Sequence, residues 1–236
     1  MTARININCD LGEGMGNDLQ IIPHINSANI ACGYHAGDVE TMRQTIEACI
    51  KHDVLIGAHP SYYDRENFGR TEMQLPADEI YDLVTQQLII FSEVLNMFES
   101  SLHHVKPHGA LYNQSAKDPV IAKAIASAVK DFDPALILYG LSGSHSIEEA
   151  KKIGLKTASE AFADRTYQDD GSLTSRTQPG ALIDDVGKLV AQVSEMVNDA
   201  MVTTVSGKKI QILVETICVH GDGMKAVEFV RAIGKL

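Results

Sequence analysis

RININCDLGEG, residues 4–14, reads as a short strand over 4–10 that ends at Asp10 and gives way to a glycine-rich turn carrying Glu13. The pattern recurs along the chain. Runs rich in β-branched and aliphatic residues lie at 27–33, 54–60, 103–108, 135–141, 155–162 and 212–220. Longer segments of helical period separate them, which is the signature of repeated βα units. In 78–98, Ile80, Leu83, Val84, Leu88, Phe91, Val94, Leu95 and Phe98 share one helix face; in 181–199, Leu182, Val186, Leu189, Val190, Val193, Met196 and Val197 do the same. Pro119 behind Asp118 marks a helix start, and Ser146 with Glu149 fits a capping box. Residues 201–213 read as a hairpin turning at Ser206-Gly207. Seven strands this hydrophobic need cover on both faces. The fold class is therefore α/β, either an open doubly wound sheet or a closed or nearly closed (β/α) barrel, and the crowding of polar residues at one edge favours the barrel.

Composition narrows the function. The 236 residues hold 20 Lys+Arg against 31 Asp+Glu, a formal net charge of −11, with 44% hydrophobic and 22% charged residues. Such a chain buries enough surface for one substantial core, and no Pro/Gly/Ser linker divides it, so a single domain over 1–236 is expected. No basic run exceeds the pairs Lys151-Lys152 and Lys208-Lys209, which argues against a nucleic-acid partner. The first residues lack the basic, apolar and small-residue succession of a signal peptide, and no stretch of ~18 apolar residues could span a membrane. Cys9, Cys32, Cys49 and Cys218 show neither C-x-x-C spacing nor a disulfide framework, so reduced thiols and a cytoplasmic location are expected.

In either architecture ligands bind at the carboxyl ends of the strands. Those ends carry Asp10 and Glu13, then His35, His59, Lys106 with His108, Asp164-Arg165, and His220 with Asp222. A lone histidine at a strand end is commonly a hydrogen-bonded structural residue; the grouping is what points to chemistry. Lys106 stands in a stretch that otherwise reads as a buried strand, where an ammonium must be ion-paired or must contact an anion. Three chemistries fit. Asp10, His35 and His59 could hold a divalent metal that activates water. A metal-free acid–base set could use Asp10 or a histidine, with Lys106, His108 or Arg165 stabilising an oxyanion. A nucleotide site has only the G-E-G-M-G stretch to offer, since there is no G-x-x-x-x-G-K-[ST] and no G-x-G-x-x-G. A G-x-S-x-G elbow is also missing, which disfavours a serine hydrolase mechanism.

The same strand ends carry a family resemblance. NCDLGEGMG (8–16), SANIACGYHAGD (27–38), IGAHPSY (56–62) with FGR (68–70), HVKPHGALYN (104–113), FADRTYQDDGSL (162–173) with RTQPGALI (176–183), and CVHGD (218–222) resemble, in order, the motifs of the LamB/YcsF family. The chain departs from them at Thr71, where a second Arg is usual, and at Gly223-Met224, where the family commonly reads T-P. The resemblance implies a (β/α) barrel of the glycoside hydrolase/deacetylase type, seven-stranded and irregular. It implies ATP-dependent 5-oxoprolinase activity, opening 5-oxo-L-proline to L-glutamate together with 5-oxoprolinase subunits B and C (PxpB and PxpC). The implied catalytic residues are Asp10, His59, Lys106 and His108. Glu13, His35, Arg70, Arg165, Arg176 and His220 would bind substrate or phosphate. Asp38, Asp164, Asp170 and Asp222 also match the motifs. ATP enters as a substrate, bound by the companion subunits in the absence of a P-loop, and a divalent metal is compatible. Two other readings remain open at this point: a metal-dependent deacetylase-like amide hydrolase, and a non-catalytic substrate-binding subunit.

Overall fold

A computed structural model describes residues 5–236; Arg4, the first residue of the expected strand 4–10, lies outside them. Seven parallel strands close into a barrel: β1 (Asn6–Leu11), β2 (Ser27–Ala31), β3 (Leu55–His59), β4 (His104–Val105), β5 (Ile137–Leu141), β6 (Lys156–Phe162) and β9 (Thr216–His220). Strand β9 seals it, pairing with β1 (Asn6 opposite Thr216) and with β6 (Glu160 opposite Thr216). Strands β7 (Met201–Thr203) and β8 (Lys209–Gln211) form the expected antiparallel hairpin outside the barrel, with Gly207 at φ +86° in its turn. The helices are α1 (Asp18–Ile21), α2 (Val39–Lys51), α3 (Ala77–Asn96), α4 (Gly109–Lys117), α5 (Pro119–Phe132), α6 (His145–Lys152), α7 (Val186–Asp199) and α8 (Ala226–Ile233). Among the described residues, no helix is long and apolar enough to cross a membrane.

Local chemistry accounts for most boundaries. Helix α5 starts where the Asp118 carboxylate accepts the Val120 amide at 2.8 Å, with Pro119 giving up no needed donor. Helix α3 buries Ile80, Val84, Leu88, Phe91, Val94 and Leu95, the core of the expected stripe, each worth about 1.5–3 kcal/mol of apolar burial. Three expectations are corrected. Residues 181–185 are not helical: Leu182 bridges Arg165 and is exposed, and α7 begins only after Asp185, whose carboxylate accepts the Lys188 amide. The helix near 146 starts earlier, at His145 with Ser144 at the N-cap, and Ser146 instead meets Ser115 side chain to side chain at 2.9 Å. Strand β4 spans two residues where six were expected, because Pro107 has no amide to donate; on either side of it the Lys106 and His108 amides still reach the Ala58 and Pro60 carbonyls.

Strand parity sorts the rest. Ile7, Cys9, Leu11, Ala28, Ile30, Ile56, Ala58, Val105, Leu138, Ile217 and Val219 belong to the apolar core between barrel and helices. The alternate positions face each other across the barrel, and many of them are polar. Asn8 donates to Thr216 Oγ1 and Asn29 donates to Asn8 Oδ1, each at 2.8 Å, while the His104 ring reaches Asn29 Oδ1 at 2.8 Å. His104 also stacks on Tyr139 at 4.1 Å, and burial holds its imidazole well below its ordinary range. Gly57 makes room for this ring, since a Cβ there would overlap it.

Candidate active site at the carboxyl ends of the strands

Two residues further along the strands, the interior becomes ionic. Lys106 follows β4 and is only 2% exposed. Its Nζ lies 2.9 Å from Asp10 Oδ1, 2.9 Å from Glu160 Oε1 and 3.1 Å from Cys218 Sγ, joining β1, β6 and β9 across the barrel. Asp10, Cys218 and, at 3.4 Å, Asn8 Oδ1 accept the three donors of the ammonium, and Glu160 is a second carboxyl partner beside it. Lys106 is therefore ion-paired within the chain and is not free to hold an outside anion. Burial opposes the charge, yet Asp10, Cys218 and Glu160 hold the ammonium well above its ordinary range. Burial likewise opposes the Asp10 carboxylate, but the charges of His59 and Lys106 outweigh it and hold Asp10 well below the usual range. Asp10 is an ionised, buried base whose Oδ1 is fixed by Lys106 and by Asn29 Nδ2 at 2.8 Å, and whose Oδ2 lies 3.4 Å from His59 Nε2.

Beside it runs a chain of imidazoles. His59 Nδ1 donates to the Lys106 carbonyl at 2.7 Å and His108 Nε2 donates to the Phe68 carbonyl at 2.9 Å. Carbonyls only accept, so both outer nitrogens carry protons. The inner nitrogens, His59 Nε2 and His108 Nδ1, meet at 2.9 Å and need one proton between them. Asp10 Oδ2 faces this contact from 3.4 Å, and burial, then the neighbouring His35 and His59, holds the His108 imidazole well below its ordinary range. Behind it, the Ser61 hydroxyl donates to the Tyr62 carbonyl and accepts from His35 Nδ1, leaving His35 Nε2 as an acceptor 3.2 Å from Glu13 Oε1. Burial, then the charge of His59, pushes His35 down to about 2, so it is neutral. Burial and the nearby Asp10 push Glu13 well above the carboxylate range, so Glu13 is the acid that donates to His35. His35 and His108 stack in parallel at 3.8 Å, an arrangement open only to rings that are not both charged.

Asp10, His59 and His108 open onto a cavity of about 510 Å³ that Arg70, Arg165 and Arg176 also line. Arg165 is buried and donates to the Thr174 carbonyl at 2.6 Å; burial and the charge of Arg176 bring it down to about 10. His220 lines the cavity with Nδ1 at 3.0 Å from Asp164, whose carboxyl it holds below the usual range against burial. Glu13 and His35, which the family motifs suggested as substrate contacts, do not line this cavity and sit behind the His59–His108 pair. Arg70 pairs with Asp222 at 2.7 Å at the rim. Asp38 caps α2 through the Thr41 amide, and Asp170 accepts from Ser172 within its own loop.

Among the described residues, Glu13, His35, His59 and His108 offer donor atoms within 4.8 Å of one another, and so do Asp10, Cys218 and His220. The buried His/Glu cluster could hold a metal ion. Its outer nitrogens are already oriented by Lys106, Phe68 and Ser61, as ligating histidines are. The parallel stack limits the set: an ion can lie in the plane of His35 or of His108 but not of both, so Glu13, His59 and one of the two would hold it. Of the three candidate ligands read from sequence, His35 and His59 fall in this cluster and Asp10 in the other. Glu160 and Cys218 were not singled out as site residues by sequence. Their signal was parity, since they occupy inward positions on β6 and β9 as Asp10 does on β1.

The model of the LamB/YcsF family matches residues 5–236. The 5-oxoprolinase A subunit of Tolumonas auensis is 51% identical over 232 residues, spanning 96% of this chain and 92% of the relative. The protein of that name from Staphylococcus carnosus is 51% identical over 235 residues, 98% of this chain and 93% of its own. Among solved structures, the lactam utilization protein from Thermus thermophilus superposes with a TM-score of 0.91 at 38% identity, covering 98% of this chain and 95% of that one. A family 4 carbohydrate esterase from Streptomyces lividans, 9% identical with a TM-score of 0.51, covers 98% of this chain and 85% of its own and shares the fold alone.

Proposed function

For a chain that belongs to the LamB/YcsF family, we propose the role of the A subunit in an ATP-dependent 5-oxoprolinase, with the whole of 1–236 as one (β/α)-barrel domain. The observation that carries it is the nearly full-length match, at 51% identity, to relatives that bear the name of the 5-oxoprolinase A subunit. The reaction is the opening of 5-oxo-L-proline to L-glutamate, coupled to hydrolysis of ATP to ADP and phosphate. Subunits B and C are the partners, and they bind the ATP.

A five-membered lactam is resonance-stabilised and a poor electrophile. Phosphorylation of its amide oxygen makes the ring carbon attackable by water. Asp10, ionised and held by Lys106 and Asn29, takes the proton of that water. The ring C–N bond then breaks, and the departing nitrogen takes the proton that bridges His59 and His108. A second water releases the phosphate, so that one ATP and two waters are consumed for each glutamate. Asp10 Oδ2, 3.4 Å from His59 Nε2, then returns to the pair the proton it took from the water, which resets both, while protonated Glu13 and neutral His35 hold the pair from behind. Arg165 and Arg176 face the anionic groups of the substrate. A divalent ion bound at the His/Glu cluster would take the inner nitrogens in place of that bridging proton and would supply Lewis-acid activation of water there instead.

Glutamate formation from 5-oxoproline, with and without ATP, tests the reading: this protein alone, then mixed with subunits B and C. ATP-dependent glutamate is expected only from the mixture. No glutamate from any mixture of folded subunits would overturn it.

A further inference from the structure

The turn after β5 is not used by the chemistry above. Leu141, Ser142, Gly143 and Ser144 line the same cavity as Asp10 and Arg165, and α6 starts directly behind them. Gly143 takes φ +72°, which folds the turn so that the Ser144 amide closes onto the Leu141 carbonyl at 3.1 Å. The amides of His145 and Ser146, first in the helix, have no carbonyl behind them within the helix. Ser144 stands at the N-cap with extended backbone, where a serine hydroxyl ordinarily accepts an amide of the first turn. It does not do so. Its hydroxyl is buried without any hydrogen-bond partner, and the residue as a whole is only 8% exposed. An N-cap serine that forgoes its own helix, beside unpaired helix amides, in a cavity shared with Arg165 and Arg176, is arranged for an anion from outside the chain.

We propose that the Ser142–Ser144 turn and the N-terminus of α6 form a phosphoryl subsite, which takes the phosphate group of the activated lactam while Asp10 faces its ring carbon. The identity of that phosphate rests on the lactam reading above; the anion site itself does not. Seating the phosphoryl group here places it on the β5 side of the cavity and leaves the β1 side, with Asp10 and His59, for the attacking water.

The test titrates inorganic phosphate into the protein while following backbone amides by NMR. Shifts at Gly143, His145 and Ser146 are expected, with affinity about tenfold weaker in Ser144→Ala and lost in Ser144→Asp, whose carboxylate would fill the site. Because Ser144 caps nothing, the melting temperature of Ser144→Ala should match the parent, which separates lost binding from lost folding. Shifts confined to other parts of the chain, or parental affinity in both variants, would overturn the subsite. Neither lactam nor ATP enters this titration. Phosphate held at the turn alongside an inactive three-subunit mixture would therefore sink the lactam reading alone, and an active mixture with phosphate binding indifferent to Ser144 would sink the subsite alone.

Discussion

The barrel interior has two tiers built on the same strands, two residues apart. In the lower tier Asn8, Asn29, His104 and Thr216 satisfy one another as neutral groups. In the upper tier Asp10 and Lys106 form a buried ion pair, with Glu160 and the His59–His108 pair buried against them. A buried ion cluster adds little net stability over a well-packed apolar filling, because desolvation consumes most of its Coulomb energy. Stability therefore explains the lower tier but not the upper, and we read the upper one as chemistry. Position within the barrel, more than residue type, separates the two.

The largest effect that would break this division is on rate. Asp10→Asn keeps the Oδ1 acceptor for Lys106 and Asn29 but removes the base, so kcat of the three-subunit mixture, per folded molecule, should fall by roughly 10²–10⁴ in a protein that still folds. Lys106→Ala leaves Asp10 and Glu160 buried without their counter-ion; urea unfolding should show a loss of about 3–5 kcal/mol. Gly57→Ala attacks the lower tier, forcing the His104 ring aside at a cost of about 1–3 kcal/mol, with kcat per folded molecule retained. The smallest effect is a pH slope. His35 takes up its proton near pH 2 when folded and near 6.5 when unfolded, so its contribution is complete above 6.5 and is lost as pH falls through that window. One unit below 6.5 the loss is about 1.4 kcal/mol, and His35→Gln should flatten the acid limb of the stability curve by that amount.

Much of this was legible in the sequence. The strand runs, the α5 cap and the hairpin at Ser206-Gly207 follow from local propensity and turn chemistry, which act over a few residues. The strand-end residues Asp10, His59, Lys106 and His108 converge as their placement suggested. What stayed hidden depends on closure. Lys106 reaches Glu160 and Cys218 only because β9 seals β6 to β1, and no spacing along the chain announces that contact. Glu13 and His35 were expected to bind substrate or phosphate, yet the stacking of His35 on His108 sets them behind the His59–His108 pair. Leu182 carried the apolar period of α7 but is claimed by the bridge to Arg165, a tertiary pairing that overrides the period.

The division between tiers is tested most directly by measuring turnover and melting temperature together in Asp10→Asn and Asn8→Ala, neighbours on one inward face of β1. The result expected is a folded, inactive Asp10→Asn beside a destabilised Asn8→Ala whose folded fraction still makes glutamate in the presence of ATP and subunits B and C. Near-parental turnover in Asp10→Asn, or an Asn8→Ala that stays fully stable and loses activity, would contradict it.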